Sequence, residues 1–411
     1  MANIDLSLRL GKEAVIVGRE DIVPFIASIR GVKSSSPPLA FFIVIDTSYS
    51  MDGEKIFRAK EAALKVLDLL KEDDHVFVYG FDGRVKRVVV DARASERDKL
   101  ENAIVGLTLG SGTNIYAVLD QMAKDARKVM ELADVAGVKV IFITDGEPTV
   151  GPKKPKKILE AARRLREAGA SALVIGVGLD YNEKLLLDIA DTLNGLFVHV
   201  NKPRRLHEML VSYTRAAKEV CGRNVTLTIR ASPGVRVIVY GRNPKVTPEG
   251  MEIPIGDVHY RETIDIVGDF IVPPSNAGEL SLGEVLVKYI NPDTREQDYI
   301  SPVTVKAKAV PEHMAPTIKV SEKIYAEARV VKAAEKLRES LGKRKAEEIS
   351  RELEEIIEAT MKLGSESLYS RTLNIKDRIE KEGVTPEATK ELASLISRLI
   401  SGRVKEEGEK E

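Results

Sequence analysis

Leu39-Ala-Phe-Phe-Ile-Val-Ile-Asp-Thr-Ser-Tyr-Ser-Met51 is the stretch on which the fold turns. Ala40 to Ile45 are apolar without alternation, as in a strand buried on both faces of a parallel sheet. The run then breaks at once into Asp46, Thr47, Ser48 and Ser50. Four more apolar runs share this texture: Val76 to Phe81, Val138 to Thr144, Ala172 to Val177 and Phe197 to Val200. Between them, Ile56, Ala59, Ala63, Leu67 and Leu70 fall on one helical stripe, and Ile115, Val118, Met122, Ala126 and Val129 on another. Short buried strands alternating with amphipathic helices predict an α/β domain with a doubly wound, mostly parallel sheet over residues 38–221.

The texture changes on either side. In residues 1–37, Ile4, Leu6, Leu8 and Leu10 alternate with Asp5, Ser7 and Arg9, the mark of a half-buried strand. Ser34-Ser-Ser-Pro-Pro38 closes that segment as a linker, because consecutive prolines donate nothing to a sheet. Over residues 222–310 the two-residue period returns, as in Val225, Leu227 and Ile229 against Thr226, Thr228 and Arg230. Turn signals such as Ser232-Pro-Gly234 and Pro273-Pro-Ser-Asn276 punctuate it, so an antiparallel β-sandwich is predicted. The N-terminal strands cannot bury a face of their own and are expected to complete this sandwich, with the α/β domain as an insertion, the alternative being a separate N-terminal arm on the α/β sheet.

Residues 320–403 read as a C-terminal helical domain, with stripes at Ile324, Ala328, Val331, Ala334 and Leu341, at Ile349, Leu353, Ile356 and Leu363, and at Ala388, Leu392, Leu395 and Leu399. Gly342 and Gly364 punctuate them. Residues 404–411 are a charged tail expected to be disordered.

The chain has 411 residues, two or three domains at about 150 each. Lys plus Arg and Asp plus Glu number 63 each, so no net field draws the protein to nucleic acid or an anionic membrane. A single cysteine, Cys221, excludes an internal disulfide and every multi-cysteine metal site. The N-terminus lacks a signal-peptide pattern and no apolar stretch is long enough to span a bilayer, so the expected location is cytoplasmic. Abundant Glu and Lys with no Trp resemble a thermophile's composition.

Ligands of open α/β sheets bind beyond the carboxyl ends of the strands. Asp46-Thr-Ser48-Tyr-Ser50, Gly110-Ser-Gly-Thr113-Asn and Thr144-Asp145-Gly-Glu147 lie at three such ends. Asp46 and Asp145 supply two carboxylates beside several hydroxyls, with no imidazole or thiol, a donor set suited to a hard divalent cation. Asp46-x-Ser48-x-Ser50, with Thr113 and Asp145 downstream, resembles the metal-ion-dependent adhesion site of the von Willebrand factor type A family, whose domain is Rossmann-like. The resemblance covers residues 39 to 220 and implies that Ser48, Ser50 and Thr113 bind the metal through hydroxyls, while Asp46 and Asp145 act mostly through water. Mg2+ is the implied ion, with Mn2+ or Ca2+ as alternatives, and its open position would take a carboxylate from a protein partner. Tyr49 departs from the family's usual glycine and stands where it would shape the approach to the metal. The blander alternative is a vestigial site whose polar groups only cap turns.

Other residues promise less. His75 and His199 lie in or beside apolar strands and read as satisfied structural histidines. No nucleophile elbow and no phosphate loop occurs, so catalysis within this chain is not expected. Lys153-Lys-Pro-Lys-Lys157 lacks stacking aromatics and reads as a solvated face. Ser365 to Ile375 reads as a hydroxyl-rich connector between helices, in which Thr372, with Ile375 three positions on, resembles what a forkhead-associated domain reads once a kinase has phosphorylated the threonine.

The three-part arrangement resembles the core of the Sec23/Sec24 coat proteins and the archaeal ArnB-type regulators, which partner a forkhead-associated protein in repressing the archaellum. The function this implies is a non-enzymatic protein-protein interaction scaffold. The alternative is a type A subunit of an AAA+ ATPase assembly of the MoxR or chelatase kind. An extracellular adhesin is a third, disfavoured by the N-terminus.

Overall fold

The computed structural model describes residues 3–33, 35–132, 135–202, 204, 206–341 and 346–405. Three strands come first, β1 (Ile4–Leu10), β2 (Ala14–Ile16) and β3 (Asp21–Gly31). An α/β unit follows: β4 (Ala40–Asp46), α1 (Glu54–Leu67), β5 (His75–Phe81), β6 (Val85–Arg93), α2 (Arg97–Val105), α3 (Ile115–Met130), β7 (Val138–Thr144), α4 (Pro155–Glu167), β8 (Ala170–Val177), α5 (Glu183–Thr192), β9 (Leu196–Val200) and α6 (Leu206–Ala217). Seven strands come next: β10 (Val220–Ala231), β11 (Arg236–Val239), β12 (Lys245–Thr247), β13 (Gly250–His259), β14 (Glu262–Val272), β15 (Gly278–Ile290) and β16 (Gln297–Val310). The chain ends in α7 (Glu322–Ser340), α8 (Ala346–Leu363), α9 (Glu366–Glu382), α10 (Pro386–Ser401) and a short β17 (Arg403–Lys405).

The α/β sheet has the order β6-β5-β4-β7-β8-β9, parallel throughout except for the β5/β6 hairpin. All seven residues of β4 are buried, and so are those of β5 and β7, which is why these segments show no alternation. One face packs on α1, α2 and α6 through residues such as Ile43, Ala59, Val66 and Leu210. The other packs on α3, α4 and α5 through Phe42, Val118, Leu165 and Leu186. Strand β6 has no counterpart among the predicted strands: it is an exposed edge whose polar residues hide it from a search for apolar runs.

The strands before and after this unit interleave. One sheet runs β1-β3-β14-β11, with β17 also on β14, and the other runs β12-β13-β10-β15-β16-β2. Their facing sides form one core that includes Ile4, Phe25, Ile29, Val225, Ile264 and Val287. The N-terminal strands are thus divided between both sheets of the sandwich that encloses the α/β insertion.

The helical region packs on both units. Ser321 caps α7, and Thr385 caps α10 with Pro386 in its first turn, both as helix starts prefer. Leu392, Leu395 and Ile396 of α10 join the same core as α3 to α5. Ser397 Oγ accepts from the backbone N–H of Phe197 at 2.9 Å, covering the open edge of β9.

Two expectations need correction. Ser365 to Ile375 is not a connector: Glu366 onward is helix α9. Thr372 is fully buried on its inner face and donates to the Leu368 carbonyl at 2.8 Å, so its hydroxyl offers a kinase no access. The charged tail also begins later than predicted. Arg403–Lys405 pairs with β14, while residues 406–411 and the predicted helix stop at Gly342 lie outside the described residues. Among the described residues, no helix is long and apolar enough to cross a membrane.

Candidate metal centre

Three loops meet at the carboxyl end of the α/β sheet, tied together by backbone before any side chain acts, and the second, expected at a strand end, instead joins α2 to α3. After β4 the chain makes a single 3-10 turn at Tyr49–Met51 and enters α1. The Gly110 N–H donates to the Thr47 carbonyl at 2.7 Å, joining this loop to the one before α3. That second loop bends at Gly112, whose φ of +80° suits glycine. Thr149 and Val150 N–H groups donate to the Thr113 carbonyl at 3.0 and 3.2 Å, and the Thr113 N–H donates to Thr149 Oγ1 at 2.8 Å, binding the second loop to the third.

The five predicted residues meet on this frame. Ser48 Oγ and Ser50 Oγ are 2.9 Å apart, and Ser50 Oγ donates to Asp145 Oδ1 at 2.7 Å. Asp46 Oδ1 accepts from the Ser48 N–H at 2.9 Å, and its Oδ2 from Thr144 Oγ1 at 2.5 Å. Thr113 closes the group. A Cβ placed on Gly146 would lie 3.3 Å from Thr113 Oγ1 and 3.8 Å from both Asp46 Oδ2 and Ser50 Oγ, so oxygens from all three loops converge on one small space that glycine leaves open.

This donor set fits a hard divalent cation. Ser48, Ser50 and Thr113 supply neutral oxygens, Asp46 and Asp145 supply charge, and both carboxylates are fully buried. Burial pushes the Asp46 carboxyl up to about 6, only partly opposed by its bonds from Thr144 and Ser48, and the Asp145 charge adds to the rise. Two carboxylates crowded together in this way are the arrangement that a cation relieves. Among the described residues no group of three or more His, Cys, Asp or Glu side chains is placed to share an ion, so any metal here depends on hydroxyl oxygens. Tyr49 is 66% exposed, so its ring lies largely in solvent.

Sequence reasoning missed three participants. Thr144 orients Asp46, and Gly146 keeps the space clear. Lys55, in the first turn of α1, donates to Asp145 Oδ2 at 2.6 Å and to the Ser50 carbonyl at 3.2 Å. A lysine at a helix start opposes the helix dipole, and that anomaly was the available signal.

Comparison with known proteins bears on the domain and its fold. A family model described as von Willebrand factor type A domain matches residues 41–210. An uncharacterized protein of Synechocystis sp. is 25% identical over 325 residues, covering 74% of this chain and 76% of its own length. Inter-alpha-trypsin inhibitor heavy chain H4 of Sus scrofa is 25% identical over 268 residues, which is 60% of this chain but only 29% of that protein. Among solved structures, a von Willebrand factor type A protein from Catenulispora acidiphila has a TM-score of 0.78 at 19% identity, over 96% of this chain and 97% of that one. The ArnB paralog of Sulfolobus acidocaldarius has a TM-score of 0.75 at 18% identity, over 98% and 100%. These structural likenesses show the shared fold.

Proposed function

From the premise that residues 41–210 form a von Willebrand factor type A domain, we propose that the chain is a non-enzymatic interaction scaffold. Its strand-end cluster holds a divalent cation, Mg2+ first among them, and a protein partner completes the coordination with an acidic side chain. The observation that carries this reading is the convergence of Ser48, Ser50, Thr113, Asp46 and Asp145 around the space left by Gly146. Neutral hydroxyls leave the ion electrophilic, so a carboxylate from outside has reason to bind.

The non-enzymatic part draws support from the remaining reactive groups. His75 pairs with Asp91, and His199 bonds to the Tyr181 hydroxyl at 2.5 Å. Burial pushes the Cys221 thiol up to about 12, away from a reactive thiolate. We assign the scaffold a cytoplasmic regulatory role of the ArnB type, on likeness of fold. Control through Thr372 is not part of it, since that residue is buried.

The test is co-purification of partners from the native cell with Mg2+ or with EDTA, using the native chain and Ser48→Ala/Ser50→Ala. A partner retained by the native chain in Mg2+, and lost both in EDTA and with the variant, is the expected result. Equal retention in all arms would show that partners bind without the metal.

A further inference from the structure

Lys55 is held by more than one contact. Its ammonium donates to the buried Oδ2 of Asp145 at 2.6 Å and to the Ser50 carbonyl at 3.2 Å, and lies 3.8 Å from Asp180 Oδ2. Its path crosses Gly178: a Cβ there would sit 3.2 Å from Lys55 Cε and 3.3 Å from Nζ, and Gly178 has a φ of +75°. The β8–α5 turn is therefore shaped to let the lysine through.

Charge makes the consequence concrete. Ionised Asp46 and Asp145 give the buried cluster two negative charges and Lys55 cancels one, so that cluster without metal is singly negative, while Asp180, 76% exposed, is screened by solvent. A divalent ion would turn it singly positive. Without Lys55 the same ion would only bring it to neutrality, and an acidic group from outside would be attracted less strongly.

We infer that Lys55 is a built-in counter-cation of this cluster: its ammonium competes with the divalent ion for Asp145, weakens metal binding, and makes the metal-loaded pocket net positive toward an acidic partner. The inference rests on the metal reading above. It assigns Lys55 opposite effects on the two ligands, which a merely structural contact would not have.

The experiment is calorimetric titration of Mg2+ into the full chain, native, Lys55→Met and Lys55→Arg. A second titration adds acetate to each Mn2+-loaded protein and follows displacement of metal-bound water by proton relaxation. Lys55→Met is expected to bind Mg2+ roughly tenfold more tightly and acetate more weakly, while Lys55→Arg behaves as the native chain. If the native chain binds Mg2+ and Lys55→Met binds it no better, the counter-cation role is wrong and the metal reading stands. If Lys55→Arg matches Lys55→Met, packing rather than charge is responsible and the inference again falls. If none of the three binds Mg2+, the metal reading itself fails and takes the inference with it.

Discussion

Gly146 shows how little separates a metal cage from a plugged one. A single methyl there would stand 3.3 Å from Thr113 Oγ1 and within 4 Å of Asp46 and Ser50, in the space where the oxygens converge. Gly146 is not among the residues with positive φ, so alanine adds little backbone strain. Gly146→Ala is therefore expected to lower Mg2+ affinity by on the order of tenfold or more, with the melting temperature in EDTA close to native. Calorimetry beside thermal melts checks both halves. Asp46, Ser48, Ser50 and Asp145 were legible in the sequence as polar residues just past apolar runs, whereas Thr113, between α2 and α3, was placed by the family resemblance. Gly146 and Thr144 were not, since their roles depend on which loop faces which. Lys55 was half legible: its place at a helix start is anomalous, but its partner lies 90 positions away in the chain.

At the scale of elements, α9 is the clearest departure from expectation. Its hydroxyl-rich start resembles a loop because Ser and Thr compete with the backbone for hydrogen bonds. Yet Thr372, Ile375 and Ile379 form a buried stripe that holds the helix against its neighbours, and the Thr372 hydroxyl is satisfied four residues back at the Leu368 carbonyl. Thr372→Val keeps the shape and is expected to cost less than about 1 kcal/mol. Thr372→Asp buries an unpaired charge and is expected to cost roughly 3 kcal/mol or more. Urea titration of the two variants separates these outcomes, and a Thr372→Asp protein as stable as native would restore the connector reading. The strands of the insertion were legible because burial on both faces leaves an unmistakable run. Strand β6 was not, because an exposed edge carries no such signature.

At the scale of the whole molecule, the α/β unit meets the sandwich through buried charge. Lys139 on β7, 1% exposed, donates to Asp257 on β13 at 2.7 Å, and beside it, within the sandwich sheet, Arg403 on β17 donates to both oxygens of Glu262 on β14 at 2.9 Å. Burial alone would raise both carboxyls, but Lys139 and Arg223 hold Asp257, and Arg403 and His259 hold Glu262, well below the usual carboxylate range. Lys139→Met, which strips Asp257 of its bonded cation, is expected to cost roughly 3–5 kcal/mol. Adding Asp257→Asn should recover much of that, as denaturant titration would show. Burial, aided by the Lys390 charge, also holds the His199 imidazole down at about 4. A depressed histidine takes up its proton more readily in the unfolded chain, so the His199 contribution to stability falls as pH drops from about 6.5 toward 4, while the raised carboxyls of Asp46 and Asp191 act in the opposite sense. Below that, Asp257 and Glu262 lose their contribution as well. Melting curves across this range should show His199→Asn gaining stability relative to the native chain as the pH drops. None of this interface was legible beforehand, because the paired charges come from strands more than a hundred residues apart. A metal-dependent scaffold requires that the three loops share one ion. Anomalous diffraction from crystals grown with Mn2+ tests that directly: the prediction is a single peak bonded to the hydroxyls of Ser48, Ser50 and Thr113, and a Mn2+-saturated crystal with no peak there would contradict it.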